Sequence, residues 1–216
     1  MQLALLLCAV SLTLPAQVRE PALRRQLLKR EAKDQAGRQR TVQFLERHGR
    51  VLNKEGSIRD SDLPPQIRKE YVRLIQQVMA IDRANQIWLA RILNRYGWPG
   101  RSLVGKDGAD AAWIIAQHAD RDIPFQRRAA EMMAAMPLDE VDQDLMANLT
   151  DRNAVNAGRN QTYGTQWELR DGLLVPATPI EDEPRVDARR AARGLKPLKD
   201  YLSGLSGKTR PVSGER

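Results

Sequence analysis

The decamer AAWIIAQHAD, residues 111–120, is the most apolar stretch of the chain beyond its first residues, and it ends in polar groups. These are an amide at Gln117, an imidazole at His118 and a carboxylate at Asp120, with Asp122 two residues on. An imidazole titrates near neutral pH, so His118 is the candidate general acid/base. On helical spacing His118 and Asp122, four apart, can meet, whereas His118 and Asp120 point apart. Either Asp122 or Asp120 is expected to orient the ring, which makes His118, Asp120 and Asp122 the candidate catalytic set. A helix C-terminus disfavours nearby carboxylates, so Asp120 needs a cation, a cluster of donors or a metal. A plainer assignment competes with this one. Asp122 ahead of Ile123-Pro124 reads as the N-cap of the next helix. His118 is then a hydrogen-bonded core residue, and Asp120 the partner of an arginine.

A second concentration of polar groups begins at Asp151-Arg152 and continues in GRNQTYGTQ, residues 158–166. Gln161, Tyr163, Thr165 and Gln166 crowd around Gly164, and such a loop offers N–H groups and hydroxyls to a polar ligand. A loop that satisfies its own backbone is an equally common outcome. The chain has no phosphate-binding P-loop, no H-E-x-x-H and no G-x-S-x-G. Its two histidines, His48 and His118, exclude a multi-histidine metal centre. A carboxylate-rich alternative on His118, Asp120 and Asp122 has little behind it. No metal ligand is assigned, and the cofactor is unknown.

The elements that must position these groups are helical. Leu23, Leu27, Leu28, Val42 and Leu45 predict a helix from about Val18 to His48, with Gly37 a point of interruption and Gly49 a stop. Asp62 and Pro64-Pro65 open a second helix that ends near Gly97-Trp98-Pro99-Gly100. A loop through Val104-Gly105-Lys106 leads to a third, starting at Asp107 or Gly108. Its apolar residues surround it, which marks it as central. Pro124 closes it near Asp122. Further helices are expected at about Phe125–Met136 and Leu138–Asn156, the latter stopped by Gly158. Asp171-Gly172 is the dipeptide of a tight hairpin turn within Thr165–Val175. Pro184 opens a last amphipathic helix, and a short turn follows.

Composition bounds the rest. The chain has 216 residues, of which 42% are hydrophobic and 29% charged, as in a folded protein with one core. The net charge of +8 raises the question of nucleic acid. The charge is spread, however: residues 18–50 carry ten Lys/Arg against four Asp/Glu, while 101–150 carry five against nine. The basic face lacks interleaved aromatics, so nucleic-acid binding is not expected. Residues 1–17, MQLALLLCAVSLTLPAQ, are uncharged, with an apolar run too short for a bilayer span of ~20 residues. The run has the length of a signal-peptide core, with cleavage after Pro15-Ala16. The only cysteine, Cys8, leaves with it, and no integral membrane segment remains.

These residues together resemble a family of bacterial proteins known as a domain of unknown function, number 6624. The resemblance covers about Asp34 to Leu202. It rests on Asp34-Gln35, Asp82 with Asn85, GWPG at 97–100 including Trp98, and Val104-Gly105. It continues through QHADRD at 117–122, Gln126, Asp151-Arg152, QTYGTQ at 161–166 and the ending at 179–202. Hallmarks drawn from Asp, Gln, Asn, His and Tyr in distant segments imply a pocket more than a core. The resemblance therefore implies that the Asp34, Asp82/Asn85, His118 and Tyr163/Gln166 segments converge. The candidate ligand-binding set is Asp34, Gln35, Asp82, Asn85, Trp98, Gln117, Gln126, Asp151, Arg152, Gln161, Tyr163, Thr165 and Gln166.

The expected molecule is all-α: a leader at 1–17, one helical domain at 18–202 with a small β-hairpin near its C-terminus, and a disordered tail at 203–216. Its expected setting is periplasmic or extracellular, with the cytoplasm as the alternative if the start codon is mis-assigned or the apolar segment packs on the domain. The expected activity is that of a small hydrolase or transferase on a polar substrate, activating water directly for want of a nucleophile. The alternative is a non-catalytic module binding a ligand or peptide. The oligomeric state is not legible.

Overall fold

A computed structural model of the chain describes residues 18–48, 64–170 and 173–206. Among the described residues, seven α-helices and one hairpin follow in order: α1 (Pro21–Arg47), α2 (Pro65–Tyr96), α3 (Arg101–Gln117), α4 (Ile123–Ala134), α5 (Gln143–Asn156), β1 (Trp167–Arg170), β2 (Leu173–Pro176), α6 (Val186–Ala191) and α7 (Leu198–Ser206). The expectation of an all-α fold with a small antiparallel hairpin holds. No described helix is long and apolar enough to cross a membrane. The leader, Asp62 and the Asp171-Gly172 turn lie outside the described residues.

Helix α3 is the axis of the molecule. Ala109, Ala111, Ala112, Ile115 and Ala116 are buried on all sides of it, and α1, α2, α4 and α5 all pack against it. Small alanines let those helices approach closely, while Leu27, Leu89, Leu93, Met146 and Leu149 supply the bulk of the core. A fully buried leucine of this kind stabilises the fold by about 1.5–3 kcal/mol. A smaller cluster of Ile180, Val186 and Leu198 sits under Trp167, Tyr201 and Leu202.

The element boundaries differ from expectation in informative places. Helix α1 runs unbroken through Gly37. The segment assigned to α3 opens at Arg101, earlier than expected, but Gly105 at φ 76° and ψ 168° leaves helical geometry and divides it, so the central part resumes after the expected break. The left-handed region is open to glycine at little cost, so the chain turns there and resumes. Helix α5 starts at Gln143, where the Asp142 carboxylate accepts from the N–H groups of Asp144 (3.1 Å) and Leu145 (3.2 Å). That cap overrides the apolar period, which had carried the helix back to Leu138. Pro184 stands in a 3-10 turn (Glu183–Arg185) ahead of α6. Helix α7 extends to Ser206, into the segment from Ser203 on that was expected to lack structure.

Candidate functional site

The α1–α2 seam meets the end of α3 at a cluster of charged groups. On α1 the spacing of four puts Asp34 and Arg38 on one face. Asp82 comes from α2, and His118 is the residue that ends α3, its backbone N–H donating to Ile114 O at 3.1 Å. His118 Nδ1 lies 3.0 Å from Asp34 Oδ2, and Arg38 Nη2 donates to Asp82 Oδ1 at 2.7 Å. Gln35 Nε2 donates to Asp34 Oδ2 at 2.9 Å. Arg38 Nε approaches both His118 Nδ1 (3.1 Å) and Asp34 Oδ2 (3.3 Å).

One nitrogen cannot donate to Asp34 and accept from Arg38 at once. Burial would push the Asp34 carboxyl up, but His118 and Arg38 outweigh it and hold the group below its ordinary value. Asp34 is therefore the anion, Nδ1 carries the proton toward it, and the Arg38 Nε–H turns to the carboxylate. That assignment leaves His118 Nε2 as the basic nitrogen, and no described residue hydrogen-bonds it. The imidazole is 17% exposed, against 1% for the Asp34 side chain.

Asp82 behaves oppositely. Burial, then its contact with Asp34 working against the Arg38 charge, pushes its carboxyl up to about 6. Two adjacent carboxylates cannot both ionise freely, so the pair splits and Asp82 retains a proton closer to neutrality. Asp34, Asp82 and His118 each offer a ligand atom within 4.8 Å of the others, a set that could hold a metal ion. It differs from the set His118, Asp120, Asp122 considered from sequence. The Arg38 guanidinium already supplies a cation to both carboxylates.

Asp120 and Asp122 turn elsewhere. Arg152 grips Asp120 with two bonds (Nε–Oδ1 2.8 Å, Nη2–Oδ2 2.5 Å), and Gln126 (3.0 Å) and Asn156 (2.9 Å) donate to it as well. Burial raises that carboxyl, yet Arg152, Gln126 and Asn156 together hold it below its ordinary value. Gln126 is wholly buried and also donates to Gln117 O at 3.0 Å, closing the end of α3. Asp122 is the N-cap of α4, accepting from Phe125 N at 3.0 Å, and it accepts from Gln86 on α2 at 2.5 Å. Both residues take the plainer of the two roles read for them. The carboxylate that orients His118 is Asp34.

The QTYGTQ segment wraps around Asp151. This carboxylate accepts from the N–H groups of Thr162 (2.7 Å), Tyr163 (3.0 Å) and Thr165 (2.8 Å), and from the Thr165 hydroxyl (2.9 Å). Gln161 donates to Gln166 O (2.9 Å) and Thr178 O (2.8 Å), and accepts from Gln166 N (2.8 Å). Gly164, at φ 71° with Ile180 Cδ1 2.7 Å from where a Cβ would stand, allows the tight wrap. Arg190, 1% exposed, donates to Tyr163 O at 2.8 Å. Trp98 belongs to the apolar core, and Asn85 accepts from Arg30 at 3.0 Å beside the first cluster.

Hydrogen bonds thus gather most of the predicted residues into two networks. Asp34, Gln35, Asp82 and His118 form one, with Arg38. Asp151, Gln161, Tyr163, Thr165 and Gln166 form the other, with Arg190. Between them the Asp120–Gln126–Arg152 group holds α3, α4 and α5 together. Cavities of about 490 Å³, walled partly by Asn153, Arg159 and Thr162, and about 380 Å³, walled partly by Trp113, Thr165 and Tyr201, adjoin the second network. Sequence reading missed Arg38, although its spacing of four from Asp34 on α1 was visible. Gln86 and Asn156 gave no signal, since their partners are distant in the chain.

A family model described as a family of unknown function, DUF6624, matches residues 57–208, and the chain belongs to that family. The matched residues include Asp82, His118 and the whole Asp151 loop, while Asp34, Gln35 and Arg38 precede them. No curated protein and no solved structure matches the chain.

Proposed function

We propose that the Asp34–His118–Asp82 cluster is an acid–base centre for hydrolysis or group transfer on a small polar substrate. The observation that carries this reading is the 3.0 Å contact between Asp34 Oδ2 and His118 Nδ1, which leaves Nε2 basic and partly open to solvent. A carboxylate on one imidazole nitrogen fixes the tautomer and steadies the imidazolium that forms when the other nitrogen takes a proton. Nε2 removes a proton from water as its oxygen attacks the substrate. The leaving group departs with the proton held on Asp82, and the proton on His118 then restores Asp82. Two carboxyls pushed to opposite sides of their ordinary values suit these separate tasks. His118 and Asp82 are the catalytic residues of this scheme, and Asp34 and Arg38 position them.

A non-catalytic ligand-binding module would tolerate a fully buried imidazole with no carboxylate beside it. His118 is neither. The setting is that of an exported protein, carried by the leader at 1–17 and checked by mass spectrometry for a mature N-terminus near Gln17 or Val18. The test of activity is a panel of water-soluble carboxylic esters, phosphoesters and amides offered to the wild type, His118→Ala and Asp34→Asn. Turnover lost with His118→Ala, and lowered in kcat more than in KM by Asp34→Asn, is the expected result. Turnover that survives His118→Ala overturns the scheme. Bound ligand with no turnover anywhere in the panel gives the binding module instead.

A further inference from the structure

Strands β1 and β2 pair with each other in the register Trp167↔Pro176, Glu168↔Val175, Leu169↔Leu174 and Arg170↔Leu173, and neither strand packs along a helix. Trp167 anchors the base of the hairpin, its indole N–H donating to Gly164 O at 2.8 Å. Beyond it the hairpin projects, with Leu169 46% and Leu173 70% exposed. An isolated two-stranded hairpin is marginal in water, and an open apolar edge invites another strand.

The edge that is open can be identified. Ala177 N donates to Gln166 O at 3.0 Å, so residues 166 and 177 form a hydrogen-bonded pair. Such pairs alternate along an antiparallel ladder, which makes 168/175 and 170/173 the next two. The N–H and C=O groups of Trp167 and Leu169 therefore point away from β2, and no described residue hydrogen-bonds them. On the outer edge of β2 the corresponding residues are Leu174 and Pro176, and proline has no N–H to offer. The β2 edge is blunted and the β1 edge is not.

We propose that the β1 edge pairs with the β1 edge of a second copy of this chain, forming a four-stranded antiparallel sheet about a two-fold axis. Trp167-Glu168-Leu169-Arg170 is self-complementary in that orientation. With Leu169 facing the partner's Leu169, each donates and accepts one backbone bond. Glu168 then faces the partner's Arg170, and Arg170 faces the partner's Glu168. These are non-hydrogen-bonded pairs, where side chains stand closest, at Cα separations of ~4.5 Å. Within one chain Arg170 already reaches Glu168 along the strand, so the assembly joins two such pairs into a ring of four alternating charges. The contact is isologous and closes on itself, giving dimers and not filaments. Its area falls below the ~1,200 Å² of standard interfaces, so association is weak and concentration-dependent.

Sedimentation velocity over a concentration series tests this, with the full chain and unchanged helical circular dichroism in every variant. The wild type shifts from one chain mass toward two as concentration rises. Glu168→Arg and Arg170→Glu each weaken dimerisation by about tenfold, because the symmetry makes every like-charge contact twice. The double variant restores it, and an equimolar mixture of the two single variants forms the mixed dimer. A wild type that stays monomeric at every concentration, single reversals without effect, or a double reversal that fails to restore association each overturns the proposal.

Discussion

Asp34 and Asp151 are buried alike, at 2% and 0% exposure, yet their surroundings give them opposite characters. Asp151 is held by three backbone N–H groups and one hydroxyl, donors whose positions are fixed once the loop has folded. Asp34 is held by Gln35, Arg38 and His118, all side chains, and it neighbours a second carboxyl that competes for the same cation. Burial leaves Asp151 above its ordinary value despite those donors, while His118 and Arg38 bring Asp34 below it in spite of burial. A carboxylate that organises backbone is scaffold. One set beside an imidazole and a second carboxyl fits the acid–base centre proposed for it.

The largest effect is expected at Asp151. Asp151→Ala leaves three N–H groups and a hydroxyl without partners in the interior, and each orphan costs ~1–3 kcal/mol before relaxation. The expected loss is about 3–5 kcal/mol, among the largest for a single substitution. Urea unfolding followed by circular dichroism measures it. A loss below ~1 kcal/mol would show that the loop stands without its carboxylate, and the contrast with Asp34 would fail.

Legibility in the sequence followed the same division. The helices were readable because apolar period and proline or glycine punctuation are local, and so was the Asp122 cap ahead of Ile123-Pro124. The start of α5 was misplaced because Leu138 and Val141 continue the apolar rhythm, and only the Asp142 side chain decides where the N–H groups are satisfied. The resemblance implies that the Asp34, Asp82, His118 and Tyr163 segments converge, whereas their hydrogen bonds fall into separate networks. Side-chain types do not reveal which donors are backbone and which can move. The pairing of Asp34 with His118 spans 84 positions, so no periodicity could announce it. Asp120, a candidate for orienting His118 by its place in the sequence, is saturated by Arg152, Gln126 and Asn156.

A smaller effect is expected in the Asp34–His118–Asp82 cluster. Burial first, then Asp34, raises the folded Asp82 carboxyl from its ordinary 3.8 to about 6. A carboxyl raised on folding binds protons more tightly in the native state. Its contribution to stability therefore grows as pH falls from about 6 toward 4 and is lost as pH rises through that window. Asp34, lowered on folding, works in the opposite sense: it stabilises above its unfolded value and loses that contribution as pH falls through the folded one. Asp82→Asn deletes the first effect and leaves the second. The variant should gain about 1–2 kcal/mol less than the wild type between pH 7 and pH 5. Thermal melts at the two pH values measure this, and identical pH dependence in the two proteins would mean that Asp82 does not hold the proton.

The smallest effect on stability is expected at the residue with the greatest proposed effect on function. A core histidine replaced by alanine leaves a cavity and orphaned partners, a loss of about 2–4 kcal/mol in a small domain. His118 is differently placed. Its ring is 17% exposed, its Nε2 has no partner to lose among the described residues, and its Nδ1 partner Asp34 keeps Gln35 and Arg38. Water can enter the space and donate to the carboxylate in place of the imidazole, and a wet replacement of that kind costs little. His118→Ala should therefore lower stability by less than ~1 kcal/mol, well short of Asp151→Ala, while removing any turnover the protein has. The two variants measured side by side give the comparison its strictest form. If His118→Ala melts as early as Asp151→Ala, the imidazole is scaffold too, and the difference between the two carboxylates carries no chemistry.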